Sequence, residues 1–146
     1  MCPTNRRLRE ITDPSIRTGL SQYCQKIIDR FHPKCIIVYG SQARKTYTPS
    51  SDIDLIIISD TFKIPFISRI RSLLELNQTE FHIEALGYTI QEFEDMLSNF
   101  RVTALDAIYF GIPIYGEQYF QQLESIFKGY LSEGLKRLDQ AWEIPV

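Results

Sequence analysis

The sequence predicts a mixed α/β (α+β) fold. In this fold a small mixed β-sheet is flanked by helices, and further helices follow at the C-terminal end. Three short, largely apolar runs alternate with segments whose apolar residues recur at helical spacing. A chain of 146 residues, 44% hydrophobic and 23% charged, has the composition of one globular domain. We therefore expect a single domain, with its core over about residues 15–98 and a helical extension over about residues 101–142.

The first helix is predicted over Ser15–Phe31. Asp13 is the expected N-cap, Pro14 lies in the first turn, and the His32-Pro33 pair ends the helix. Steps of three and four residues place five apolar side chains on one face, namely Ile16, Leu20, Tyr23, Ile27 and Phe31. This face is expected to pack on the sheet.

Three strands are predicted, at Cys35–Tyr39, Ser51–Ser59 and Phe81–Gly87. Within the second, Leu55–Ile58 is a continuous apolar run, which is typical of a central strand that is covered on both faces. The intervening segment, Ser41–Ser51, is polar and is expected to form a loop with room for one helical turn. Because this connection is short for a parallel crossover, we expect the first two strands to pair antiparallel.

Four more helices are predicted after the second strand. The first of them spans Ile64–Leu76 and has Pro65 in its first turn. Its expected inward side chains are Phe66, Ile67, Ile70, Leu73 and Leu74. The next helix spans Ile90–Leu97, and Thr89 and Glu92 have the spacing of a capping box at its start.

The C-terminal part is predicted to form the last two helices, Val102–Phe110 and Glu117–Trp142. Gly111 and Pro113 end the former. The expected inward residues of the latter are Phe120, Leu123, Ile126, Phe127, Tyr130, Leu131 and Leu138. These helices either cover the sheet or present an apolar face to a second copy of the chain or to another protein.

Charge and cysteine content disfavour several classes of protein. Sixteen Lys and Arg against 18 Asp and Glu leave a net charge of −2, without the basic surplus of a nucleic-acid-binding protein. Three cysteines without CxxC spacing predict neither a disulfide framework nor a zinc site. The first residues lack the apolar stretch of a secretory signal, and no apolar run has the length of a membrane span. We therefore expect a reduced cytoplasmic protein with no membrane or nucleic-acid partner.

One motif carries chemistry: Gly40-Ser41, then ten residues, then Asp52-Ile53-Asp54. Because side chains alternate along a strand, Asp52 and Asp54 project from one face, where paired carboxylates favour a hard cation such as Mg²⁺ or Mn²⁺. A glycine followed by a serine lets backbone N–H groups and a hydroxyl approach a phosphate. Antiparallel pairing brings both halves to one edge of the sheet, as phosphoryl or nucleotidyl transfer requires.

These residues resemble the nucleotidyltransferase superfamily that includes DNA polymerase beta, and within it the minimal nucleotidyltransferase branch. That branch is usually written G-S-x-A-R-G…S-D-I-D-L, and this chain reads GSQARK over residues 40–45 and SDIDL over residues 51–55. The likeness extends from Ile36 to about Tyr88. A looser likeness covers residues 107–116, AIYFGIPIYG, which look like the region that closes many such domains. The resemblance implies the nucleotidyltransferase fold of DNA polymerase beta.

The resemblance also implies a site that binds a nucleotide and one or two Mg²⁺ or Mn²⁺ ions. The implied nucleotide-binding residues are Gly40, Ser41, Arg44 and Ser51. The implied metal ligands and catalytic residues are Asp52, Asp54 and Glu84. Two positions depart from the family: Glu84 stands where members often carry Asp, and Lys45 stands where they usually carry Gly. The longer Glu84 is expected to act either as a third ligand or as the base for the attacking hydroxyl.

Each of these residues also has a purely structural interpretation. The aspartate pair is compatible with a polar strand entrance, Arg44 with a solvated loop arginine, and Glu84 with an exposed strand glutamate. His82 shares the face of Glu84 by alternation but is expected to have no role. Tyr39 is expected to belong to the core.

The function that the resemblance implies is Mg²⁺-dependent transfer of a nucleoside monophosphate, AMP from ATP, to a hydroxyl, with release of pyrophosphate. A protein side chain is the favoured acceptor, because similar small nucleotidyltransferases are paired in toxin–antitoxin systems with a helical HEPN protein that they adenylylate. The alternative is a non-catalytic nucleotide-binding or partner-masking antitoxin. The third interpretation is a nucleotidyltransferase for small molecules of the aminoglycoside type.

Overall fold

The computed structural model describes residues 14–40 and 52–146, whose helices and strands surround one central sheet. The helices are α1 (Pro14–Phe31), α2 (Phe66–Glu75), α3 (Ile90–Ser98), α4 (Val102–Phe110) and α5 (Glu117–Ser132). The strands are β1 (Cys35–Tyr39), β2 (Ile53–Ile58), β3 (Ile83–Tyr88), β4 (Ile112–Tyr115), β5 (Lys136–Arg137) and β6 (Trp142–Glu143).

The central sheet is mixed and has the strand order β3-β2-β1-β4. β1 pairs antiparallel with β2 and β4, whereas β2 pairs parallel with β3. The predicted fold class and the antiparallel pairing of the first two strands are therefore confirmed. Residues 55–58 of the central β2 have no exposed surface, as their continuous apolar run predicts.

Two hydrophobic cores form on opposite faces of the sheet, because alternate residues of a strand point to opposite sides. On one face, Val38 and Leu55 pack against α1 and against Leu73 of α2. On the other, Ile37 and Ile56 pack against α3, α4 and α5. All five predicted inward residues of α1 are buried. Asp54 lies between the two buried residues Ile53 and Leu55 in sequence, and alternation places it on the face of the second core.

The capping box predicted at the start of α3 is confirmed. The Thr89 hydroxyl accepts a hydrogen bond from the Glu92 N–H at 3.2 Å, and the Glu92 carboxylate accepts one from the Thr89 N–H at 2.8 Å. Two of the N–H groups that a helix start leaves without intrahelical partners are thereby satisfied. Residue Asp13, the predicted cap of α1, lies outside the described residues.

The predicted inward face of α2 is confirmed at Leu73, which is buried, but is wrong for three of its other members. Phe66, Ile67 and Leu74 are 37, 68 and 54% exposed, and the buried residues of this helix are Arg69 and Leu73. The reason is tertiary: the Arg69 guanidinium donates hydrogen bonds to backbone carbonyls and to a carboxylate on the β3 side of the helix. Because Arg69 and its hydrogen-bond partners occupy the inward side of the helix, most of its apolar side chains face outward.

The last helix is shorter than predicted, because it ends at Ser132 rather than at Trp142. Gly134 has φ +118°, which reverses the chain, and β5 and β6 then form a short hairpin. The Trp142 indole N–H donates to Asp106 Oδ1 at 2.8 Å, which ties this hairpin to α4. Three residues predicted to face inward are exposed, namely Ile126, Leu131 and Leu138. No helix within residues 14–40 and 52–146 is long and apolar enough to cross a membrane.

Strand β4 is absent from the sequence prediction. It has only four residues, and it includes Pro113, which is tolerated on an edge strand. Its two isoleucines, Ile112 and Ile114, are buried against the sheet core. A run this short has too little periodicity to be recognised without its partner β1.

Candidate active site

The candidate site lies where β1 ends and β2 begins. Antiparallel pairing places Tyr39, the last residue of β1, directly beside Asp54 of β2. Gly40 follows at once, so the glycine of the motif lies next to its carboxylates, as predicted. Three of the predicted site residues lie in the segment 41–51, outside the described residues, and their placement stays a prediction: Ser41, Arg44 and Ser51.

Glu84 is brought beside Asp54 by the parallel pairing of β2 and β3. The two residues are direct partners in the register and therefore project from the same face of the sheet. Asp52 immediately precedes β2, and its carboxylate interacts electrostatically with that of Asp54. The three predicted carboxylates thus lie near one another, on one face of the sheet and at the same end of β2 and β3.

Electrostatic crowding shows most clearly at Asp54. Burial raises the pKa of this carboxyl from 3.8 to about 6, and the negative charges of Glu84 and Asp52 act in the same direction. His82 lowers the pKa and only partly compensates. Asp54 therefore lies in a position where its negative charge is unfavourable without a cation.

His82 is a member of the site that the sequence interpretation missed. Its Nδ1 lies 2.8 Å from Asp52 Oδ1, and both side chains are largely exposed. Alternation along β3 put His82 on the face of Glu84, but only the pairing of β3 with β2 reveals Asp52 as its neighbour. The contact holds one oxygen of Asp52 at this edge of the sheet.

Tyr39 forms a side wall of the site as well as part of the core. It packs against the second core, and burial together with the charges of Asp54 and Glu84 raises the pKa of its hydroxyl. Its neutral phenol is therefore maintained beside the carboxylates. The expectation that Tyr39 is a core residue is confirmed, but its proximity to the acidic cluster became visible only with the register.

Gly40 is required for two independent reasons. Its φ of +72° lies in the left-handed region, and a Cβ at this position would overlap Asp54 Oδ2. The backbone approaches the carboxylate as closely as it does only because no side chain intervenes. A residue with a side chain could therefore occupy this turn only by displacing Asp54.

We expect Gly40→Ala to destabilise the fold by about 1–2 kcal/mol, because the new methyl displaces Asp54 and strains the backbone. Urea unfolding measures this effect. Gly129→Ala is the matched control, since a Cβ there meets nothing within 4 Å. Equal stability of Gly40→Ala and wild type would contradict this role.

The donor set fits a hard divalent cation that is shared with a nucleotide. Mg²⁺ binds oxygen and usually takes one or two carboxylates together with substrate phosphates. Within the described parts of the chain, no three His, Cys, Asp or Glu side chains form a group that could hold a metal ion by themselves. The pair Asp52 and Asp54 thus matches a metal that completes its coordination with phosphate oxygens.

Comparison with known proteins agrees with this geometry. Residues 20–110 match the family described as nucleotidyltransferase domain, and the match includes Gly40, both aspartates and Glu84. No curated protein matches the chain. The family match covers more than half of the 146 residues, and the mixed sheet with its flanking helices is consistent with it. The chain therefore belongs to the nucleotidyltransferase domain family.

Proposed function

We propose that the protein is a Mg²⁺-dependent nucleotidyltransferase that moves AMP from ATP to a hydroxyl on a partner protein and releases pyrophosphate. Membership of the family supports nucleoside monophosphate transfer from a nucleoside triphosphate. The choice of ATP and of a protein acceptor rests on the resemblance to the nucleotidyltransferases of HEPN pairs.

The observation that carries the proposal is the in-register pairing of Asp54 with Glu84 beside the Gly40 turn. This pairing places a partly buried carboxylate, Asp54, beside an exposed one, Glu84, at the same end of β2 and β3. Asp54 is partly buried and next to the turn, where it suits a metal-bound triphosphate. Glu84 is exposed on the edge strand, where an acceptor has access to it.

Each residue has a defined task in the transfer. Asp52 and Asp54 would hold Mg²⁺, which neutralises phosphate charge and polarises the α-phosphate. Gly40 admits the phosphates to the end of β1. Glu84 accepts the proton of the acceptor hydroxyl while the oxygen of that hydroxyl attacks the α-phosphorus. The bond between the α-phosphorus and the oxygen that bridges it to the β-phosphorus breaks as pyrophosphate leaves.

The second candidate is a non-catalytic nucleotide-binding protein. It is favoured by two departures from the family pattern, Glu84 where members often carry Asp and Lys45 where they usually carry Gly. In that case the Asp pair and Gly40 still bind MgATP, but Glu84 takes no proton. The two candidates therefore differ at Glu84.

Calorimetric titration with MgATP and an assay of pyrophosphate release separate these functions. Asp54→Asn is expected to weaken MgATP binding by about 10–100-fold, since a ligand of the metal is lost. Glu84→Gln is expected to keep MgATP affinity within about threefold but to lower pyrophosphate release by about 100-fold or more. Equal MgATP binding by wild type and Asp54→Asn would refute the proposed site.

The acceptor is tested by mass spectrometry of a co-expressed neighbouring gene product. A mass increase of one AMP on that protein, lost with Glu84→Gln, supports transfer to a partner. If the Glu84→Gln variant still inhibits the partner by binding to it, with no change in the partner's mass, the non-catalytic alternative is supported. Labelling of an aminoglycoside but of no protein would favour the small-molecule interpretation.

A further inference from the structure

The two aspartates of the candidate site differ in how firmly the fold holds them. Asp54 lies within β2, between Tyr39 on one neighbouring strand and Glu84 on the other. Asp52 immediately precedes β2, and its side chain is 48% exposed. Fixing an exposed side chain in one rotamer costs conformational entropy. A metal ion that needs both aspartates therefore binds more tightly if another contact already holds Asp52 in place.

The pairing of β2 with β3 brings His82 opposite Asp52. Ile53 is in register with Ile83, and the Ile53 N–H donates a hydrogen bond to the His82 carbonyl at 3.0 Å. Asp52 and His82 each precede this first pair of the ladder by one residue. Side chains at matching positions of neighbouring strands project from the same face of the sheet, which is why the imidazole meets the carboxylate.

The contact between these two side chains engages one carboxylate oxygen. His82 Nδ1 lies 2.8 Å from Asp52 Oδ1. An ionised carboxylate only accepts hydrogen bonds, so Nδ1 carries the hydrogen and donates. With Oδ1 engaged in this way, Asp52 is suited to bind a metal through one oxygen, Oδ2. Mg²⁺ favours such ligands, because it has octahedral coordination with metal–oxygen distances of about 2.1 Å.

His82 also lies close to the second aspartate, since it lowers the pKa of the Asp54 carboxyl. The imidazole is thus near both carboxylates that are expected to hold the metal. Within residues 14–40 and 52–146, however, no three His, Cys, Asp or Glu side chains form a group that could hold a metal ion. The arrangement therefore favours a role for His82 through Asp52 rather than as a third ligand.

We propose that His82 is a positioning residue, which fixes Asp52 as a one-oxygen ligand of the Mg²⁺ ion that is shared with ATP. The hydrogen bond to Oδ1 selects the rotamer of Asp52 in which Oδ2 is available to the metal. Loss of a hydrogen-bond partner of a metal ligand typically lowers metal affinity by about 10–100-fold. This inference rests on the proposed nucleotidyltransferase function and adds to it a residue that sets the affinity for the metal-bound nucleotide.

The role of His82 is tested by calorimetric titration with Mg²⁺ and α,β-methylene-ATP, which cannot transfer AMP. We expect His82→Ala to raise the Kd of the Mg²⁺-nucleotide by about tenfold, because Asp52 loses the donor that orients it. His82→Asn is expected to restore most of the affinity, since its amide N–H donates from about the position of Nδ1. His32→Asn is the matched control: it removes the other histidine of the chain at an exposed position, and asparagine tolerates the φ of +47° there.

A double-mutant cycle shows whether His82 acts through Asp52. In the Asp52→Ala background, His82→Ala is expected to change the Kd by less than about twofold, because the carboxylate that His82 orients is gone. Thermal unfolding in EDTA is expected to give the same Tm within about 2 °C for His82→Ala and wild type, since the contact lies between exposed side chains. The effect on binding is then separate from any effect on the fold.

Three results would overturn the positioning role: equal Kd values for His82→Ala and wild type, a His82→Asn variant as weak as His82→Ala, or an undiminished effect of His82→Ala in the Asp52→Ala background. Each of them leaves the proposed function standing if Asp54→Asn still weakens binding relative to wild type. If wild-type protein binds no Mg²⁺-nucleotide, the proposed function fails, and the role of His82 fails with it.

Discussion

Asp54→Asn is expected to slow Mg²⁺-dependent release of pyrophosphate from ATP by at least about 1000-fold and, at neutral pH, to make the protein more stable. The rate falls because an amide does not replace a carboxylate as a metal ligand. The stability rises because the carboxylate is partly buried next to Glu84 and Asp52, which disfavour its charge. Opposite effects on activity and stability are characteristic of a site built for function.

The gain in stability depends on pH in a defined direction. The pKa of Asp54 is raised from 3.8 to about 6 in the folded chain, so the folded state holds its proton over a range where the unfolded state has lost it. Wild-type stability therefore falls as the pH rises from about 4 to about 6, and the difference from Asp54→Asn is largest above pH 6. Because Asp54 is only partly buried, solvent screening limits the difference to roughly 1 kcal/mol, or about 3 °C in Tm.

Thermal unfolding in EDTA between pH 4 and pH 7.5 measures this effect. Asp139→Asn serves as the control, because Asp139 is exposed near the C-terminal hairpin. We expect the Tm of Asp54→Asn to equal that of wild type near pH 4 and to exceed it at pH 7. A variant that is less stable than wild type at pH 7 would show that Asp54 serves the fold rather than the site.

Arg69→Met is expected to destabilise the protein by about 3 kcal/mol, because Arg69 joins three elements from an almost fully buried position. Its guanidinium donates to the carbonyl of Ile64 at 2.8 Å, to that of Gly87 in β3 at 3.1 Å, and to the Glu92 carboxylate of α3 at 2.6 Å. The Arg69 contact with Glu92 also lowers the pKa of that carboxyl. Methionine keeps much of the volume but leaves all three acceptors without their donor.

Urea unfolding of Arg69→Met, Glu92→Gln and the double variant separates these contacts. Glu92→Gln should lower the free energy of unfolding less than Arg69→Met does, because the Glu92 side chain is 45% exposed. The amide oxygen of the new glutamine also still accepts the hydrogen bond from the Thr89 N–H at the start of α3. A coupling energy of about 1 kcal/mol or more between the two is expected from their charge-assisted pair. A cost below about 1 kcal/mol for Arg69→Met would contradict its role as the link that orients α2.

The orientation of α2 is set by Arg69 rather than by the apolar stripe of the helix. The helix is amphipathic, and its sequence pattern favours burying the isoleucine and leucine stripe. A satisfied arginine occupies the inward side instead, since an unpaired guanidinium in a core is more costly than an exposed leucine.

The sequence by itself determined the elements whose pattern is long or strongly marked. Helix α1, the continuous run of β2 and the Thr89–Glu92 capping box follow from local periodicity and capping chemistry, and the structure confirms them. The family could also be recognised from the sequence, because Gly40 and the Asp52–Asp54 pair lie at a characteristic spacing. These signals are local, and each is carried by a few residues that lie near one another in the chain.

The tertiary structure alone decided the features that depend on distant partners. Strand β4 is too short to be recognised without its partner β1. The last helix ends earlier than predicted because Gly134 reverses the chain and the Trp142 indole donates a hydrogen bond to Asp106. The contact of His82 with Asp52 exists only once β3 lies beside β2 in register. Burial of Arg69 likewise depends on carbonyl and carboxylate partners that lie elsewhere in the chain. Each is a long-range hydrogen bond or strand pairing, and periodicity within one segment carries no information about it.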